Sequence, residues 1–261
     1  MTVDLDTITR LNFDAAGMTV HEVVAELISR YGVPTDMDEV YRLAYELMPT
    51  VLEQRARVAM RATEVIAETT TLGAVVAERD YLPVPFVAKN IRDAVGLSPV
   101  SVNVRVEMLD PHSQELARLS IPAFTAPDNP EVIEVVEKRI TSSAHHRVMD
   151  AQREVVHNTG LKNRARWAWR LTGRENCNSC LAKASYGPFW ADEAGTQRYT
   201  HDNCDCYAEL VEDYDSWAGR DTAEELATII KYNSERAGNS WKNPDWSAIR
   251  AEFEMERTDL P

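Results

Sequence analysis

All four cysteines of this 261-residue chain fall between positions 177 and 206, and that crowding constrains the fold more than any other feature. The pattern is Cys177-x2-Cys180, a gap of 20 residues, then His201-x2-Cys204-x-Cys206. A Cys-x2-Cys turn can point both sulfurs at one ion about 2.3 Å away, and a tetrahedral shell of thiolate and imidazole ligands suits zinc best. Cys177, Cys180, His201, Cys204 and Cys206 are five candidates for four places. A shell filled by protein ligands has no position for water, so this zinc would be structural. Three states stay open, in this order: a shared metal, two disulfides, and reduced thiols without metal.

The rest of the composition narrows the classes. Hydrophobic residues make up 44% of the chain, enough for a packed core. The N-terminus has no apolar run of the kind a secretory signal needs, and no run elsewhere is long enough to span a bilayer. These features point to a chain made in the cytosol with no membrane partner. The formal charge is −14, and the segments before and after Gly160 are both acidic. Attraction of the whole chain to nucleic acid is therefore not expected, though a local basic patch is compatible with it.

Periodicity divides the chain. Thr19 to Glu22 fits a capping box, with Val20, Val23, Val24, Leu27 and Ile28 forming one apolar face before Gly32 and Pro34. A second helix is expected over about 36–48, broken or kinked by Pro49, and a third over about 50–78, weakened late by Thr69-Thr70-Thr71 and Gly73. A short helix ends at Gly96. Val100, Val102, Val104, Val106 and Met108 alternate with polar residues as a half-buried strand does. Residues 109 to 130 hold four prolines and read as loops. Asn129-Pro130 caps a long helix, expected to stop near Asn158 with Gly160 as its terminator. Ala165, Trp167, Trp169 and Leu171 then alternate with Arg166, Ala168 and Arg170, predicting a strand with a buried aromatic face and an exposed basic one. A further strand at 207–211 and helices over about 222–236 and 246–256 complete the reading. The fold class is α+β: a mostly helical region over 1–160 with a short sheet element, and a small Cys/His-stapled α+β module over 161–261.

Other candidate chemistry is thin. Arg164, Arg166, Arg170 and Arg174, interleaved with Trp167 and Trp169, could grip a phosphate backbone. The plainer reading, an exposed strand edge guarded by cations, is favoured. His145 and His146 are adjacent on the long helix and cannot share one face, which favours a solvated or capping role. No His-Glu-x-x-His, no Gly-x-Ser-x-Gly and no phosphate-binding glycine loop is present. The deaminase order, His-x-Glu before Pro-Cys-x-x-Cys, is reversed here. Ser142 and Ser143 lie close to the histidine pair in sequence, but no nucleophile, base and orienting group stand out, and no catalytic residue is assigned.

From Arg166 onward the chain resembles the Mu protein F-like minor head proteins of tailed phages, particularly those of actinobacterial phages. The residues that carry the resemblance are Trp-Ala-Trp-Arg at 167–170, Cys177-Asn-Ser-Cys180, Leu181-Ala-Lys-Ala-Ser185 and Tyr186-Gly187-Pro188-Phe189. His201-Asp-Asn-Cys204-Asp-Cys206 and Trp217-Ala-Gly-Arg220 continue it. The resemblance covers about residues 161–255. It implies a non-enzymatic minor capsid protein, assembled in the host cytoplasm and held inside the virion near the portal protein. It would act in head assembly, DNA packaging or ejection. The major capsid or scaffold protein would be a further partner, and packaged DNA a local contact through the basic strand. Similar chains are often labelled capsid maturation proteases, and that enzyme is the rival reading.

Overall fold

The computed structural model describes residues 5–73, 75–76, 84–97, 126–171, 178–193, 206–236 and 244–258. It is a mostly helical α+β fold with one small antiparallel sheet. Helices α1 (Leu5–Tyr31), α2 (Met37–Thr69) and α3 (Val84–Val95) gather around a central helix, α4 (Pro130–Asn163). Strand β1 (Arg166–Arg170) follows, then α5 (Asn178–Ser185), β2 (Phe189–Trp190) and a 3-10 turn at Ala191–Glu193. Strand β3 (Tyr207–Val211) and helices α6 (Arg220–Arg236) and α7 (Trp246–Thr258) complete the chain. The sheet order is β2-β1-β3, with Trp167 opposite both Phe189 and Leu210.

Local signals set several of the element boundaries. Asp36 caps α2 by accepting from the Glu39 N–H at 2.9 Å. Asn129 caps α4 by accepting from the Glu131 N–H at 3.0 Å, with Pro130 just inside the helix. Helix α2 stops at Thr69, where the threonine run begins, short of the end expected near 78, and α3 hands over to Gly96 at φ +81°. The strand at 166–170 falls where alternation places it, and the further strand expected at 207–211 is present. The alternating run at 100–108 and residues 109–125 after it lie outside the described residues.

Three further boundaries differ from the sequence reading. Thr19 is not an N-cap: α1 runs through it, and its hydroxyl donates back to the Ala15 carbonyl at 3.0 Å. Pro49 does not break α2, which continues for another twenty residues. Proline lacks the N–H that would meet the Tyr45 carbonyl, but Tyr45 and Pro49 face outward, where water can take that bond. Gly160 does not end α4. The cap is Arg164, in left-handed conformation at φ 50°, its N–H reaching back to Gly160 and Leu161. Gly160 is there for space: a Cβ on it would lie 3.0 Å from the Ala191 Cβ and 3.4 Å from Leu210 Cδ2. Tertiary packing decides all three against local propensity.

The main core runs from Val20, Val24 and Leu27 through Leu43, Leu47 and Val51 to Ile140, Val148 and Val155, then on to Trp167, Trp169, Cys180 and Cys206. It is continuous across the end of α4. A second cluster joins Leu181 and Ala184 to Leu226, Ile229, Ile249 and Phe253, with Ile230 packed against it. A third, of Ala168, Val211, Trp217 and Ala223, covers the opposite face of the sheet.

Candidate functional site

The polar and sulfur chemistry of the molecule gathers where α4 meets the sheet. Cys180 lies in α5 and Cys206 immediately before β3, and both are buried. Their Sγ atoms are 3.4 Å apart, although the residues are 26 positions apart in sequence. The structure thus brings together one cysteine from each half of the sequence motif. Cys177, His201 and Cys204 lie outside the described residues. Among the described residues no group of three or more His, Cys, Asp or Glu is arranged as a metal shell.

Around the pair, α4 supplies two buried polar side chains that hold the sheet. The Gln152 carboxamide donates to the Ala208 carbonyl and accepts from the Ala208 N–H at 3.1 Å. It occupies the outer edge of β3 as a neighbouring strand would, meeting the hydrogen-bonding need of a buried backbone. Arg153 donates to the Cys206 carbonyl at 2.9 Å and to Asp150 at 3.0 Å. Its guanidinium lies 5.7 Å from the centre of the Trp169 ring, and the Lys183 ammonium lies 4.8 Å from it. Two buried cations therefore share one indole, a contact that the ring quadrupole favours.

Trp167 and Trp169 are both 1% exposed, as alternation predicts. They meet edge to face at 5.3 Å, and Trp167 packs on Phe189 at 4.5 Å. The basic face of β1 is not open in the way alternation suggests. Arg170 is largely covered and ion-paired with Glu209 at 3.3 Å, and the Trp217 indole N–H also donates to Glu209. Arg166 is half-buried, with its guanidinium 5.7 Å from the Trp190 ring. Arg164 is exposed at the helix cap, and Arg174 lies outside the described residues. The physical reason is that the third apolar cluster covers the second face of β1, and Glu209 on the neighbouring β3 pairs with Arg170 there.

The histidine reading is corrected as well. His146 is buried, 3.5 Å from Asp150, which also accepts from Arg147 and Arg153. His145 stacks where Gly17 lets α1 approach, its ring 3.4 Å from the place of a glycine Cβ. Among the described residues the Ser142 and Ser143 hydroxyls have no hydrogen-bond partner, and neither histidine orients them as a nucleophile. Gln152 and Arg153 were not singled out from sequence. The available signal was two polar residues placed among Val148, Met149, Val155 and Val156, on the helix's most buried stretch.

A cavity of about 400 Å³ lies between α2 and the end of β3, lined by Val58, Ala62, Ile66, Leu210 and Trp217 among others. At its rim the Asp213 carboxyl is held below the usual carboxylate range, chiefly by the Ser216 hydroxyl and then by the Asp215 N–H.

The outer surface of α2 carries the other feature of note. Tyr41, Tyr45, Pro49, Leu52, Ala56 and Met60 recur at intervals of four, four, three, four and four, and all are exposed. Tyr45 is 65% exposed and Met60 61%, high values for large apolar side chains. The helix therefore has two apolar faces. One is buried against α1, α3 and α4; the other has nothing packed on it among the described residues. Charged residues beside the outer stripe neutralise one another in Arg42–Glu39, Arg57–Glu53 and Arg61–Glu64 pairs.

No helix among the described residues is long and apolar enough to cross a membrane. A family model described as VG15 protein matches residues 3–228. No curated protein and no solved structure matches the chain.

Proposed function

The chain belongs to the VG15 protein family, a family of phage proteins, and from that premise we propose that it is a structural minor capsid protein of a tailed phage head. In this reading it is made in the host cytoplasm, built into the virion, and bound inside the head to the portal protein. The likeness of residues 161–255 to Mu F-like minor head proteins supports the same role. The observation that carries the docking part is the outer stripe of α2, six exposed apolar side chains spread over twenty residues of one helix face. A helix of that kind docks against another helical surface through anchors at three- and four-residue spacing. The self-neutralised charges beside it leave apolar burial as the main drive.

The test is co-expression with the phage's portal, scaffold and major capsid proteins. Wild-type chain should co-purify with assembled heads. A Tyr45→Lys/Leu52→Lys/Met60→Lys variant should keep its circular dichroism and be left out of heads. Normal incorporation of that variant removes the docking surface from this reading. The rival, a capsid maturation protease, is addressed by incubating the purified chain with the same head proteins. Site-specific cleavage abolished by a single Ser, Cys or His substitution would establish the protease instead.

A further inference from the structure

We propose that the outer edge of β3 is a docking site for an extended, basic peptide segment of a partner protein, which adds to the sheet as a further strand. The inference is independent of the capsid role and rests on the edge of the sheet itself. Residues of a strand present their backbone N–H and C=O alternately to its two sides. The N–H and C=O of Ala208 both go to the Gln152 carboxamide, so they point away from β1. Leu210, two residues on, therefore turns its own N–H and C=O away from β1 as well. Among the described residues nothing bonds to either of them. A donor and an acceptor side by side on a strand edge are matched by the backbone of another extended segment. Gln152 shows the match one step earlier, where a side-chain amide stands in for a peptide group.

Beside Leu210 the edge opens on the cavity of about 400 Å³, where α2 supplies an apolar wall of Val58, Ala62, Val65 and Ile66. From Ala208 to Glu212 the edge runs about 14 Å, room for three or four extended residues. One residue of the incoming segment, opposite Leu210, exchanges both hydrogen bonds with it, and apolar side chains beside it meet the α2 wall. Charge selects the segment further. The charged residues among the described lining are Arg61, Glu209, Glu212 and Asp213. Arg61 is paired with Glu64 at 2.7 Å, and Glu209 with Arg170 at 3.3 Å. Glu212 and Asp213 are exposed and have no cation at ion-pair distance among the described residues. Glu212 accepts only from the Thr71 N–H and hydroxyl, neutral donors that leave its charge in place. The Ser216 hydroxyl and the Asp215 N–H favour the charged form of Asp213. Two uncompensated carboxylates at the mouth of an apolar groove favour a segment that carries lysine or arginine next to its apolar residues.

The experiment uses the full chain, with hydrogen exchange read at single amides. In the dilute chain the Leu210 amide should exchange at least about tenfold faster than that of Ala208. The probe is a capped heptapeptide of alternating valine and threonine with a lysine at each end. It should bind and slow the Leu210 amide about tenfold or more, while amides of α1 keep their rates. The same peptide with its central amides N-methylated should bind at least about tenfold more weakly, because it cannot complete the strand pair. Asp213→Lys, an exposed substitution, should also weaken binding of the unmethylated peptide; where that variant changes the fold, the N-methyl comparison on wild-type chain decides. Protection of Leu210 in the dilute chain alone would overturn the proposal, since the chain would then cover its own edge. Protection that appears only on concentrating the chain would overturn it in favour of a second copy. Equal binding of the methylated peptide, unchanged binding to a folded Asp213→Lys chain, or no binding of the unmethylated peptide at millimolar concentration would each overturn it too.

Discussion

The helical part and the sheet part of this molecule are held together by different means. Around α1, α2 and the first half of α4 the seam is made of many modest aliphatic side chains, such as Val20, Val24, Leu43, Leu47, Val51 and Ile140, each almost wholly buried. No single one dominates, and each contributes roughly 1.5–3 kcal/mol on burial. Around the sheet there are few residues and each carries more. Two tryptophans, one glutamine, one arginine and a cysteine pair bind three short strands to the end of α4. Redundancy protects the first region from single substitutions. Concentration exposes the second to them, as is common where strands are too short to build a core of their own.

The sharpest test of that contrast is Trp169→Ala. It removes a 1%-exposed indole and the ring that carries Arg153 and Lys183, so a loss of about 3–5 kcal/mol is expected in urea unfolding. Val51→Ala in the helical seam should cost about 2 kcal/mol by the same measurement. Equal losses for the two would break the comparison.

Gln152→Ala comes next. It strips a donor and an acceptor from the buried Ala208 backbone, each lost bond being worth about 1–3 kcal/mol. The Ala208 amide should also lose protection from hydrogen exchange while amides in α2 keep theirs. Uniform loss in both places would mean that the sheet has no separate dependence on this side chain.

A smaller effect is expected on the outer face of α2. Tyr45→Lys alone should change stability by no more than about 0.5 kcal/mol, because the ring is 65% exposed. A large destabilisation would show that the stripe packs within the chain and is not a docking surface.

The smallest effect concerns acid. Burial pushes the Asp93 carboxyl upward, but hydrogen bonds from Lys89 and Arg92 outweigh it and hold the group below the usual carboxylate range. A lowered folded-state value stabilises the protein above the ordinary carboxylate range, and that contribution is lost as pH falls through the folded value. Asp93→Asn should therefore cost under about 1 kcal/mol at neutral pH, discounted for its partial exposure, and the difference from wild type should vanish in strong acid. A difference that grows toward acid would reverse the sign of this account.

What was legible in the sequence follows the same division. Period-two alternation located β1, and placed Trp167 and Trp169 inward, because a strand's two faces are fixed by geometry. Caps such as Asn129 were readable because they act within three residues. Thr19, Pro49 and Gly160 misled because each is a local stop signal overridden by neighbours distant in sequence. Gly160 is the plainest instance: it looks like a terminator and serves as clearance for Ala191. The crowding of cysteines marked the site, but sequence could not pair Cys180 with Cys206. Nor could it show that Gln152 stands in for a strand, since that role depends on where a helix and a sheet edge happen to meet.

One last consequence belongs to α4. Thirty-four residues of unbroken helix make a stiff rod about 51 Å long. Its first half is clamped by three helices, and its last turns carry the sheet. A load applied at either end, such as the pull of a neighbour fixed to the outer stripe of α2, would pass along this rod with no joint to absorb it. The two ends of the protein would then report each other's position as a lever does.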